Sequence, residues 1–258
     1  MSSAFDRFKK LHHASDLFVL PNAWNAKSAR LFQEQNFPAI ATSSAAVANS
    51  LGYEDGEEMT FAEYILVIKR ILSTIQAPLT VDIETGYGTT AEEIYANIKQ
   101  LADLGVAGIN IEDSLVNKSG RKLKEATPFA KIIEAVKNKL TANNTNLFIN
   151  VRCDTFILNV PNKLQESIQR IQQYEAAGAD GIFLPCIARE EDILTVISHT
   201  NLPLNVMCIP GLPGFEELNN MGVKRVSMGN FFFNKLYDNI GTLSRAIAKA
   251  QNFEPILS

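Results

Sequence analysis

LTVDIETGYG, residues 79–88, places two acids inside a run of strand-forming residues before it breaks at Gly86-Tyr87-Gly88. Side chains alternate across a strand, so residues two apart share a face. Thr80, Asp82 and Glu84 therefore point one way, and Val81 and Ile83 the other. The same parity recurs downstream. In GINIEDS (108–114), Asn110 and Glu112 oppose Ile109 and Ile111. In FINVRCD (148–154), Asn150, Arg152 and Asp154 oppose Val151 and Cys153; in LPLNVMC (202–208), Asn205 opposes Leu204 and Val206. One face of each strand is apolar and the other is built for chemistry.

Working outward, strand-like segments fall at about 17–22, 38–43, 78–84, 106–112, 147–153, 181–186, 203–208 and 224–228. Helical periodicity fills the intervals, as in FAEYILVIKRILSTI (61–75) and NKLQESIQRIQQYEAAG (162–178), and a last helical region covers 231–250. Gly105, Gly178 and Gly222 each close a helix ahead of a strand. Eight βα units predict an α/β fold, a (β/α)₈ TIM barrel with an extra C-terminal helix, as a single domain over 1–258. A doubly wound sheet is the competing layout, but the first strand-to-helix turn, LPNAWNAK (20–27), lacks GxGxxG, so no dinucleotide is expected.

Bulk properties exclude several classes. A net charge of −4 argues against a general nucleic-acid binder. No apolar run approaches the roughly 20 residues a bilayer span needs, and the N-terminus has no signal-peptide pattern, so no membrane partner is expected. Cys153, Cys186 and Cys208 are odd in number and without CxxC spacing, which fits a cytoplasmic location.

In a barrel the helix-covered outer faces are apolar, so the polar faces point inward, and active sites gather at the C-terminal strand ends. Asp82, Glu84, Glu112 and Arg152 are thereby expected around one small volume. Burying unpaired carboxylates costs several kcal/mol per ion. Arg152 offsets one, and a divalent cation would offset the rest. His12 and His13 precede the barrel and His199 ends a helix, leaving an oxygen-only donor set that favours Mg²⁺, with Mn²⁺ as substitute.

These motifs, with ATSSAAVANSLGYEDGE (41–57), resemble the isocitrate lyase/phosphoenolpyruvate mutase superfamily, in order from LPNAW (20–24) to IPGLPGFEELNNMGVKRVSMG (209–229). The resemblance implies that Asp82 binds Mg²⁺ directly, that Glu84 and Glu112 hold it largely through water, and that Asp55 supports its water shell. It implies that Ser43, Ser44 and Ala45 grip a substrate carboxylate, that Arg152 binds the same small oxoacid, and that Asn205 lines the pocket. Substrates of the superfamily are 2-oxo or 2-hydroxy acids that yield a pyruvate-type enolate, and relatives form homodimers or homotetramers, often exchanging the last helix. FFFNKLYDNIGTLSRAIAKAQ (231–251) is compatible with such exchange.

Departures narrow the activity. Isocitrate and methylisocitrate lyases carry a Lys-Lys/Arg-Cys-Gly-His loop after the fourth strand, whereas this chain has EDSLVNKSGRKLKEATP (112–128), with neither cysteine nor histidine. NKSG (117–120) only loosely echoes the Lys-Thr-Asn-Ser loop of the mutases, and Ala41 replaces their aromatic residue. Residues 114–127 form the expected active-site lid, from which Lys118 and Arg121 can contact an anionic substrate. Cys186 is either a proton donor or pocket wall, and Trp24 either roofs the pocket or anchors the barrel mouth. The expected function is a Mg²⁺-dependent lyase or decarboxylase acting on an oxaloacetate-like acid. The alternatives are a phosphonopyruvate-type C–P mutase or hydrolase, and a non-catalytic oxoacid-binding relative.

Overall fold

The computed structural model describes residues 2–117 and 120–257. Nine parallel strands line the centre: β1 (Phe18–Leu20), β2 (Asn22–Ala23), β3 (Ile40–Thr42), β4 (Leu79–Asp82), β5 (Gly108–Glu112), β8 (Phe148–Arg152), β9 (Gly181–Phe183), β10 (Leu204–Met207) and β11 (Arg225–Ser227). Their order is β1-β11-β10-β9-β8-β5-β4-β3-β2. The two ends of that order are neighbours in sequence. Pro21 has no N–H to give a ladder, so it divides the predicted first strand into β1, paired with β11, and β2, paired with β3. Its carbonyl still accepts from Ala41 N at 2.8 Å, and the segment bridges the seam of a closed barrel. The predicted eight strands thus become nine by one proline break.

Helices wrap this barrel: α2 (Ala26–Glu34), α3 (Ser44–Ser50), α4 (Phe61–Leu72), α5 (Ala91–Asp103), α6 (Ala126–Ala142), α7 (Lys163–Ala176), α8 (Glu190–Ile197), α9 (Phe215–Met221), α10 (Phe231–Ala250) and α11 (Glu254–Leu257). Three begin with reciprocal side-chain caps, Asn25 with Ser28, Thr60 with Glu63 and Thr90 with Glu93, each satisfying orphan N–H groups for about 1 kcal/mol. Outward-facing Val81, Ile109, Ile111, Ile149, Val151, Ile182, Val206 and Val226 are buried in one cluster with Ile68, Ile98, Ile133 and Ile171 of the helices. Burial of each such side chain stabilises by roughly 1.5–3 kcal/mol. The parity read from the sequence holds: these faces are apolar, and Thr80, Asn110, Asn150, Asn205 and Arg225 meet inside.

One helix the periodicity did not predict closes the N-terminal end of the barrel. It is α1 (Ala4–His12), started by a Ser3–Asp6 capping box. Its Phe8 and His12 pack against Phe18, Leu20, Ala107 and Phe148. The approach is close enough that a Cβ on Gly108 would lie 2.8 Å from the Phe8 ring and 3.0 Å from the Phe148 carbonyl. The expected lid is also regular: an antiparallel hairpin of β6 (Ser114–Asn117) and β7 (Gly120–Leu123).

Candidate active site

The C-terminal end of β4 is held by a short relay. Thr42 Oγ1 accepts from Asp82 N at 3.0 Å and lies 2.6 Å from Tyr64 Oη, and Tyr64 Oη donates to the Asp82 carbonyl at 2.9 Å. Asp82 itself is partly open, its Oδ2 accepting from Ser44 Oγ at 2.8 Å. The strand stops there. Glu84 is therefore not on the strand face that alternation assigned to it; its φ is 49°, in the left-handed region, and its side chain is nonetheless buried. Glu57 fixes this turn by accepting from Thr85 N at 2.9 Å, Thr85 Oγ1 at 2.8 Å and Tyr87 N at 2.9 Å. Gly86, with φ 108° and Ile94 crowding its Cα, completes it.

Arg152, at the end of β8, is held from two sides. Its Nη1 bonds Glu112 Oε2 at 2.7 Å, while Nε and Nη2 reach Asp154 at 2.6 and 3.1 Å. Asp154 N in turn donates to Asp113 Oδ1 at 2.9 Å, and Asp113 is gripped by Arg170 and Tyr174. The guanidinium is thus rigid, which suits it to a planar carboxylate.

A second arginine comes from the hairpin. Arg121 bonds Glu112, donates to Asp154 Oδ2 at 2.9 Å and to Ser114 Oγ at 2.8 Å, and reaches Asp55 at 3.0 Å. The sequence offered Arg121 only as a substrate contact; here it ties the lid to three carboxylates. Charge balance was the available signal, since one arginine against so many inward acids left a deficit. Asp154 and Ser114 were likewise given no role. Lys118 lies outside the described residues.

The electrostatics follow from this crowding. Burial, then the charges of Asp55, Glu112 and Asp82, push the Glu84 carboxyl up to about 9. Burial also raises Glu112 against the pull of Arg152. Asp154 feels the same burial penalty, but the bidentate grip of Arg152 outweighs it and holds the carboxyl below its usual range. Five carboxylates (Asp55, Asp82, Glu84, Glu112 and Asp154) face two guanidiniums (Arg121 and Arg152). Such an excess of hard oxygen donors fits a divalent cation. Among the described residues, no three Asp, Glu, His or Cys side chains are grouped to hold a metal directly.

A cavity of about 160 Å³ opens above this cluster. Ser43, Ser44, Ala45, Asp55, Asp82 and Arg152 line it, together with Asn22, Asn110 and Arg121. Eight sequence candidates are thus brought together, counting Arg121 and, through its bonds to both arginines, Glu112, and Glu84 sits beside them in the turn. Two candidates lie elsewhere. Asn205 is fully buried below the cavity, bonded to Asn150, Ser227 and backbone carbonyls, rather than in its wall. Cys186 follows Pro185 of the wall with φ 65°, is exposed, and is not among the lining residues. Trp24 is the barrel-mouth anchor of the two readings, packed edge-on against Phe233 at 5.3 Å.

Comparison with known proteins gives this arrangement a lineage. The phosphoenolpyruvate phosphomutase family profile matches residues 8–248. An uncharacterized Mycobacterium tuberculosis protein is 37% identical over 223 residues, covering 86% of this chain and 81% of its own. Oxaloacetate decarboxylase of Pseudomonas putida KT2440 is 28% identical over 228 residues, covering 86% and 77%. Among solved structures, a Burkholderia cenocepacia J2315 protein assigned provisionally to the phosphonomutases superposes with a TM-score of 0.88 at 32% identity, over 95% of this chain and all of its own. A phosphonopyruvate hydrolase solved with oxalate and Mg²⁺ shares the fold with a TM-score of 0.86 at 21% identity, over 99% and 90%. Among the described residues no helix is long and apolar enough to cross a membrane. By profile and by fold, the chain belongs to the phosphoenolpyruvate phosphomutase family, among the lyases and mutases of the isocitrate lyase/phosphoenolpyruvate mutase superfamily.

Proposed function

We propose that this chain, acting as one barrel domain, is a Mg²⁺-dependent lyase that takes a small 2-oxo- or 2-hydroxy-carboxylate, with an oxaloacetate-like acid as first choice. The observation that carries the reading is the 160 Å³ cavity in which Asp82, Arg152 and the Ser43-Ser44-Ala45 turn share one wall. Asp82 would touch the cation, with Glu84, Glu112 and Asp55 holding it through water. When bound, the ion supplies Lewis-acid stabilisation of charge developing on the substrate's oxo oxygen.

The chain's own residues do the rest. The Arg152 guanidinium, fixed by Glu112 and Asp154, receives the substrate carboxylate. At the start of α3 the Ser44 amide donates to Asp82 Oδ2 at 3.4 Å, and Ala45 lines the same cavity. In decarboxylation, the bond to the departing carboxylate breaks, CO₂ leaves, and its electron pair remains as the enolate of pyruvate. One proton at the former bonding carbon completes pyruvate. Fixed positive charge at Arg152 lowers the cost of that enolate without reorganisation. Cys186 is not among the residues lining the cavity, which speaks against its thiol as the proton source.

Assay of the purified protein with Mg²⁺ against oxaloacetate, phosphonopyruvate and methylisocitrate tests this. Pyruvate from oxaloacetate, lost in Asp82→Asn and Arg152→Met, is expected. Phosphate or phosphoenolpyruvate from phosphonopyruvate would replace it with the C–P reading. Oxalate binding with no turnover would leave a non-catalytic oxoacid binder.

The same proposal includes a homodimer or homotetramer. On α10 only Phe233 is buried, while Phe232, Leu236 and Ile240 recur every fourth residue and are exposed. They border an apolar groove of about 590 Å³ with Trp24, Leu31 and Phe32. Light scattering of the protein in solution checks the state.

A further inference from the structure

Below the cavity the barrel interior holds a cation that the proposed chemistry leaves unused. Arg225 on β11 is fully buried, and among the described residues no carboxylate pairs with it. Its Nη2 donates to Asn110 Oδ1 at 3.0 Å; its Nε and Nη1 reach no acceptor among the described residues. Burial lowers its pKa to about 9, which still leaves a full charge at neutral pH. A charge kept there, at such desolvation cost, fixes something above it.

That something is an asparagine relay. Asn205 Nδ2 donates to the carbonyls of Val206 and Arg225 at 2.6 and 3.2 Å, and carbonyls only accept. Its Oδ1 is therefore turned to Asn150, whose Nδ2 donates to Asn205 Oδ1 at 3.3 Å and to Asn110 Oδ1 at 2.9 Å. At the far end a guanidinium, which only donates, meets the same Asn110 oxygen. Backbone carbonyls at one end and Arg225 at the other remove the usual ambiguity of amide orientation. With Oδ1 committed twice, Asn110 must present its NH₂ elsewhere. Of the three amides it alone lines the cavity.

We infer that Asn110 is a substrate-binding donor, its amide turned into the cavity by Asn150 and by Arg225, which acts as a positioning residue. The inference rests on the proposed function, since it needs that cavity to take an oxoacid. It adds a rule of selection. An oxo or carboxylate oxygen accepts from Asn110 Nδ2, whereas the ammonium of a 2-amino acid presents a second donor to it. The site is thus built to prefer 2-oxo over 2-amino acids.

Calorimetric titration with oxalate in the presence of Mg²⁺ tests it on wild type, Asn110→Ser, Asn110→Asp, Arg225→Gln and Arg225→Lys. Asn110→Ser removes the donor without adding charge and is expected to weaken oxalate about 10-fold. Asn110→Asp places an acceptor against the anion and is expected to weaken it about 100-fold, although its melting temperature holds or rises through pairing with Arg225. Arg225→Lys, still only a donor, retains affinity within about threefold; Arg225→Gln, able to flip the relay, behaves like Asn110→Ser. Mn²⁺ affinity, read by electron paramagnetic resonance, stays unchanged in Asn110→Ser. Wild-type oxalate affinity in both Asn110 variants overturns the inference and leaves the proposed function standing. Failure of the wild type to bind oxalate with metal removes both.

Discussion

Acid should loosen this barrel from below, at the helix that closes its N-terminal end. His12 is 2% exposed, stacked on Phe148 at 4.1 Å and met edge-on by Phe8 and Phe18. Its Nδ1 donates to the Phe8 carbonyl at 2.9 Å, and its Nε2 reaches no partner among the described residues. Burial, then the charge of Arg225, lowers its pKa from 6.5 to about 3. The unfolded chain therefore takes up this proton first as pH falls. The stability His12 contributes is fully present above pH 6.5 and drains away between there and 3. At pH 5 the loss relative to pH 7.5 is about 2 kcal/mol, from 1.36 kcal/mol per pH unit over the roughly 1.5 units already crossed. For a chain of this size that is about 4–8 °C in melting temperature. Glu84 and Glu112 work oppositely: their raised carboxyls bind protons in the folded state first, so acidification favours the fold through them. Comparison with His12→Phe removes that term, because both proteins carry it. Scanning calorimetry at pH 7.5 and 5 should show the wild type falling further than the variant by those 4–8 °C. Equal falls, or a His12 imidazole that titrates near 6.5 by NMR, would refute the reasoning.

Other consequences follow from the same contacts. Arg121→Met strips one shared guanidinium from Asp55, Glu112 and Asp154, so it should cost about 1–3 kcal/mol, less than a fully buried pair because Arg121 keeps some exposure. Arg121→Lys should recover little of it, since an ammonium has no planar fork, and thermal melts of the three proteins decide. In Gly181→Ala the new Cβ would sit 2.8 Å from Asn150 Oδ1, and the displaced amide should lower the melting temperature and weaken oxalate together. Leu236→Lys with Ile240→Glu should dissociate an oligomer built on α10 without lowering monomer stability, as light scattering and calorimetry would show.

How much of this was legible in the sequence divides along one physical line. Parity is a property of a single strand, so period-two alternation correctly turned Asp82, Asn110, Glu112, Asn150, Arg152 and Asn205 inward. Depth is a property of the closed barrel. Strands tilt and stagger as the sheet closes, so ladder partners do not stand at one height. Asn205 pairs in register with Arg225 and Phe183, and Phe183 with Arg152, yet Arg152 rises into the cavity wall while Asn205 bonds to Asn150 beneath it. Alternation also says nothing past a strand's last residue. Glu84 and Cys186 both follow strand ends in left-handed conformations, and one is buried and the other exposed. Arg121 was named as a substrate contact, but its carboxylate partners were hidden for a related reason: its place depends on the hairpin docking beside Gly56, where a Cβ would lie 2.9 Å from Val116, and no local pattern encodes that contact. What the sequence did carry was the imbalance of charge. An interior that gathers five carboxyl groups needs cations beside them, and the chain brings one, Arg121, from its own hairpin. Displacing the hairpin would therefore separate Arg121 from Asp55, Glu112 and Asp154 at once.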